Sequence, residues 1–272
     1  MAIVVKWLTH LTVNQACVGS SPIGRPNMYK KTHWVFFCFE VASPSNIGGL
    51  IWYSCLMKET KRIQTLGEEI ANAVSHGIGA IFGIVALILF ILASDTLQEY
   101  VAGIIFASAI FLLFISSTLY HSFPSSLRVK RLFKRFDHIS IYLLIGASFA
   151  PLLLVIADQP FGIIFFSIQW TIITVGIVFK AILIDKLQVL HIVMFLLLGW
   201  SALLVMGQLG KLSEPALYLT VWGGIAYSLG VVFYASSRKF MYAHFVWHLF
   251  VIAGVVLHFI ANYGFIFLPT NS

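Results

Sequence analysis

The chain has 272 residues, of which 60% are hydrophobic and only 10% charged, with 24 phenylalanines and a formal net charge of +7. Soluble domains carry about 25% charged residues, so this chain has too little polar surface to coat a body in water and belongs in a bilayer. The positive excess is weak evidence for a nucleic-acid partner, and none is expected; its distribution along the chain says more.

The first 57 residues differ from the rest. They hold all three cysteines, Cys17, Cys38 and Cys55, at spacings of 21 and 17 residues that match no compact zinc pattern. The apolar patches around 35–41 and 48–56 are broken by Glu40, Pro44 and Asn46, and neither makes a full span. An eighth helix here would put both chain ends on one side of the membrane. Residues 2–15 also lack the long apolar core and small-residue cleavage site of a signal peptide. The reading is a poorly structured extension, 1–57, before a seven-span domain, 58–272. Translation starting at Met57 would make 1–56 an artefact of start assignment.

From residue 74 the sequence reads as an all-α bundle of seven spans, about 74–93, 97–119, 139–157, 161–183, 189–206, 216–234 and 244–262. Each is near the ~20 residues that cross the hydrocarbon core. Glycines such as Gly79, Gly83, Gly103, Gly223 and Gly254 are ordinary in spanning helices, where they permit close contact.

Loop charges then set an orientation. Lys58, Lys61 and Arg62 precede span one, and Arg128, Lys130, Arg131, Lys134 and Arg135 lie between spans two and three. Lys180 in the last turn of span four and Lys186 beyond it count on this side, as do Arg238 and Lys239 after span six. The opposite loops offer only Lys211, against Asp95, Glu99, Asp158 and Glu214. The positive-inside rule places the N-terminus in the cytoplasm and the C-terminus outside.

This topology gathers polar residues at one membrane depth. Span two ends with Ser117 and His121, four residues apart on one face; Asp137 opens span three; His244 and His248 open span seven one turn apart. Imidazoles and carboxylates are costly in lipid unless they face the interior or bind something. Three imidazoles supply three corners of a tetrahedron and leave the fourth to water, as in a catalytic zinc site. Asp137 can hold or deprotonate that water, and Ser117 can orient it or a polarised carbonyl. His76 and His138 are candidates for supporting partners or substitute ligands, His191 reads as interfacial, and His258 as capping a polar packing contact. Taken singly, a helix-end histidine is as often interfacial, and Asp137 can pair with Arg135 or Lys134 near its helix start.

The run Glu68–Glu69–Ile70–Ala71–Asn72–Ala73–Val74–Ser75–His76–Gly77 resembles the opening signature of the haemolysin III family of bacterial membrane proteins, relatives of the progestin and adiponectin receptors. Ser117 to His121, Asp137–His138 with Tyr142, Gly146 and Pro151 beyond, and His244 to His248 resemble the family's later motifs in order and spacing, over about residues 65–264. The resemblance implies zinc ligands at His121, His244 and His248, an acid near the metal-bound water at Asp137, a paired serine at Ser117, and an acidic position near the site entrance at Glu68 and Glu69, with Glu69 a candidate supporting partner of the ligands beside His76 and His138. The wider superfamily includes alkaline ceramidases. The expected function is therefore a bacterial inner-membrane protein with one zinc ion and membrane lipid as its partner, hydrolysing a lipid amide or ester. A membrane-lytic or pore-associated protein and a non-catalytic sensor with structural zinc are the alternatives. The oligomeric state is left open.

Overall fold

A computed structural model describes residues 62–183 and 187–268. The reading of residues 1–57 falls outside them. The chain divides into two units, Met1–Ile63 and Gln64–Ser272, and the second carries everything that follows.

Among the described residues, seven helical spans are long and apolar enough to cross a membrane. They are α1 (Leu66–Ala93), α2 (Leu97–Ser122), α3 (Arg128–Ser148), α4 (Phe161–Ile182), α5 (Gln188–Trp200), α6 (Glu214–Ser236) and α7 (Ala243–Asn262). Three spans are completed by short segments: wider π turns at Leu152–Ile156 after α3 and Tyr263–Phe267 after α7, and a tighter 3-10 turn, Ser201–Val205, with one α-helical turn, Met206–Leu209, after α5. α3 gives way to a wider turn around Pro151, where the ring cannot donate to the helix ladder.

The helices begin earlier than hydropathy suggests. α1 starts at Leu66 rather than 74, and α3 at Arg128 rather than 139. Apolar content reports only the part of a helix inside hydrocarbon, whereas good helix formers extend a helix beyond it, glutamate and alanine on α1 and lysine and arginine on α3. Local chemistry marks two of the true starts. Thr65 and Glu68 form a reciprocal capping box on α1, and Thr96 and Glu99 do the same on α2.

On α1 the usual amphipathic arrangement is inverted. Glu68, Asn72, Ser75, His76, Gly79 and Gly83 are buried, while Ile70, Val74, Ile78, Ile81, Ile88 and Leu92 are exposed. A water-facing helix would do the opposite; polar residues turned inward and branched apolar residues turned outward suit a lipid surround. The small residues let α2 come close. A Cβ at Gly83 would lie 2.8 Å from the Phe111 backbone, and one at Gly79 would lie 2.7 Å from the Phe114 ring. Below this contact the core of α1, α2 and α7 is aromatic: Phe90 meets Phe106, Phe259 and Phe267 edge-on, with ring centres 4.6–6.0 Å apart.

Two polar clasps close the ends of the bundle. At one end the Lys211 ammonium lies 2.6 Å from Asp158, whose backbone N–H donates to Gln208. The lysine hydrogen bond holds the Asp158 carboxyl below the usual carboxylate range. At the other end Glu68 joins the beginning of α1 to the beginning of α7. Its Oε2 accepts from Thr65 N at 2.8 Å, and its Oε1 accepts from Tyr242 N, also at 2.8 Å. Tyr242 has φ 58°, a left-handed conformation uncommon for a tyrosine, and stands immediately before α7.

Glu68→Ala removes a helix cap and strands the Tyr242 N–H. The expected cost is about 2–4 kcal/mol, summing a lost cap and an unpaired part-buried donor. Thermal unfolding in detergent should show a lowered midpoint, with partial recovery in Glu68→Gln. An unchanged midpoint would mean that the clasp does not hold α7 in place.

Candidate metal centre

The beginnings of α1, α3 and α7 and the end of α2 share one end of the bundle, and the histidines meet there. His121 occupies the last turn of α2, and His244 and His248 the first two turns of α7. Ring centres are 5.2 Å apart for His121–His244, 5.1 Å for His121–His248 and 4.7 Å for His244–His248. One nitrogen from each ring lies within 4.8 Å of the other two, and the three can hold a metal ion. In a tetrahedral site with bonds of about 2.05 Å, ligand nitrogens sit roughly 3.3 Å apart; side-chain rotation of an ångström or so spans the difference.

The unpaired atoms favour a cation. His121 Nε2 and His248 Nδ1 are buried and have no hydrogen-bond partner among the described residues. Buried polar atoms are nearly always paired, and a metal ion would answer two lone pairs at once. His121 is also prepared from its far side. Its Nδ1–H donates to Glu69 Oε2 at 2.7 Å, and a carboxylate can only accept, so Nε2 carries the lone pair. This carboxylate–histidine arrangement orients metal-binding imidazoles and raises their basicity. Glu69 Oε1 in turn accepts from Lys130 Nζ at 2.8 Å.

The other candidates take separate places. Ser117, one turn before His121, is fully buried, and its Oγ has no partner among the described residues. His76 stacks on His248 with centres 3.6 Å apart and planes 11° from parallel, and both its nitrogens are buried without a partner. Stacking places its lone pairs beside those of His248 instead of converging with them. His76 is thus next to the triad and outside it. Asp137 is half-buried and does not belong to the group of converging donors. His138 Nδ1 donates to the Lys134 carbonyl at 2.6 Å, a bond within its own helix.

Two readings of lone histidines have different outcomes. His258 Nε2 donates to the Thr220 carbonyl at 3.0 Å, which is a packing contact between α6 and α7. His191 is buried among the helices instead of open to headgroups, and its Nδ1 is hydrogen-bonded to the Tyr142 hydroxyl at 2.8 Å. Its position near the start of α5 suggested a headgroup contact, but α3 packs over that turn. Lys130, counted among the loop charges, is likewise buried, because it turns inward to Glu69. The Thr65–Glu68 pair has a visible capping signature, whereas nothing local in sequence announces the bond from Tyr242 to Glu68 or from Lys130 to Glu69.

A family profile described as "Haemolysin-III related" matches residues 64–259. The chain is 36% identical to "Hemolysin-3" of Bacillus cereus over 219 residues, which cover 79% of this chain and 99% of that protein. It is 34% identical to the "Hemolysin-3 homolog" of Bacillus subtilis (strain 168) over 194 residues, covering 70% of this chain and 90% of the relative. "Monocyte to macrophage differentiation factor" of Homo sapiens is 30% identical over 212 residues, 76% of this chain and 88% of that protein. The matched segment contains every helix that contributes to the histidine cluster, and the chain belongs to the haemolysin-III related family of membrane proteins.

Proposed function

We propose that this protein is a zinc-dependent hydrolase of a lipid amide or ester, embedded in a bacterial inner membrane with its histidine cluster on the cytoplasmic side. The observation that carries the reading is the convergence of three imidazoles, two of them with buried and unpaired ring nitrogens. Zinc suits neutral imidazole, and three protein ligands leave a tetrahedral ion one position for water or substrate, the form of a catalytic site. The basic loops on this end of the bundle supply the cytoplasmic assignment, and the branched apolar residues on the outside of α1 face the phase in which a lipid substrate resides.

When bound, zinc supplies Lewis acidity, which polarises a carbonyl and acidifies water. The residues of the chain do the rest. Glu69 fixes the His121 ring and its tautomer. Asp137 accepts the proton of the attacking water and returns it to the departing amine or alcohol. The Ser117 hydroxyl donates to the acyl oxygen as negative charge develops there. The hydroxyl has no competing partner among the described residues, which keeps it available for that role.

Purified protein in mixed micelles is expected to release fatty acid from at least one defined ceramide or ester lipid. Release should stop on chelation and return with added zinc. Retention of a firmly held metal with no release from any lipid class would favour the sensor with structural zinc. The name of the Bacillus cereus relative also suggests lysis, and ion flux in liposomes, compared with an equal load of inert membrane protein, tests that alternative. The phenylalanine packing between α1, α2 and α7 leaves no polar stripe there for a conduit.

A further inference from the structure

Lys130 occupies a place that local physics disfavours. It is the third residue of α3, where the helix dipole opposes a cation, and it is only 8% exposed. Its basic neighbours Arg128 and Arg131 are exposed, as residues at a membrane surface should be. A buried ammonium is retained only where it is paired, and the partner here is Glu69. The carboxylate is divided between two donors: Oε1 takes Lys130 Nζ at 2.8 Å, and Oε2 takes His121 Nδ1 at 2.7 Å. The ammonium is held from a second side, 5.0 Å above the Tyr120 ring, and that ring lies 4.6 Å from His121.

We propose that Lys130 is a positioning residue of the metal centre, acting through Glu69 on His121. A carboxylate with one partner can rotate about its last torsion, and that rotation releases the His121 ring. With Lys130 on the opposite oxygen, the plane of the carboxylate is fixed. Nδ1 then remains the donor and Nε2 keeps its lone pair directed at the other two histidines. The inference rests on the zinc reading above, but it concerns a residue outside the histidine cluster.

Zinc affinity of the full chain in detergent, measured by competition with a chromophoric chelator, tests it through a double-mutant cycle. Lys130→Met is expected to weaken zinc about 10- to 100-fold, the usual cost of losing a partner that supports a metal ligand. Lys130→Arg should restore binding to within about threefold of the starting protein, because guanidinium also pairs with carboxylate. Glu69→Gln should weaken zinc comparably, and adding Lys130→Met to it should cost nothing further, since the route to His121 is already cut. Equal affinity in Lys130→Met and the starting protein would overturn the proposal. So would full additivity of the two substitutions, or a lowered unfolding midpoint with zinc affinity unchanged. A starting protein that binds no zinc at all would instead overturn the reading of the cluster as a zinc site.

Discussion

Replacing His244 and His248 together by alanine is expected to take bound zinc from about one ion per chain to none detectable. These residues contribute two of the three converging donors, and both come from the first turns of α7. One imidazole, His121, would remain, and a single neutral nitrogen does not retain zinc through purification. The loss should also be visible in stability. A ligand present at about 1,000 times its Kd adds roughly 4 kcal/mol to the folded state, so chelation should lower the unfolding midpoint of the starting protein and leave that of the double variant unmoved. His76→Ala serves as the internal comparison. Its ring stacks on His248 and does not converge with the donors, and the variant should keep its zinc. Metal analysis of the three proteins decides the matter. Zinc retained in the double variant, or absent from the starting protein, would remove the proposed centre.

Asp137→Asn should separate binding from chemistry. The substitution keeps shape and one acceptor oxygen but removes the ability to take a proton at neutral pH. Asp137 does not belong to the converging donors, so zinc content should be unchanged. Lipid hydrolysis should fall by about 10²–10⁴, the range expected for a general base. The readout is fatty-acid release per zinc-loaded chain. Unchanged release would remove Asp137 from the chemistry, since α3 begins at Arg128 and leaves it no helix-start role either, and loss of zinc would make it a ligand.

The residues of this site differ in how readily they are read from a sequence. His244 and His248 lie four apart, and a helix brings them together under any packing. The approach of His121 requires only that α2 and α7 run in opposite directions, which the alternation of spans provides. Glu69 sits among charged residues just before an apolar run, so its position alone suits a surface acid; the family resemblance nominates it as a support of the site, and only the fold assigns it to His121. Lys130 is harder to see. Five basic residues between 128 and 135 look alike as topology signals, and only their rotation about the α3 axis makes this one a buried partner of Glu69. The same applies to His191, whose helix-end position suits a headgroup contact until Tyr142 is seen to occupy its Nδ1.

Composition and hydropathy were enough to specify a seven-span helical membrane protein, because transfer of apolar residues into lipid is an additive, local property of a run of about 20 residues. Spacing was enough to nominate the three histidines. Packing alone decided which groups support them. The bonds from Glu69 to His121, from Lys130 to Glu69 and from Tyr242 to Glu68 join residues 52, 61 and 174 positions apart. Each depends on how far one helix is turned and shifted against another, and no short stretch of chain encodes that angle.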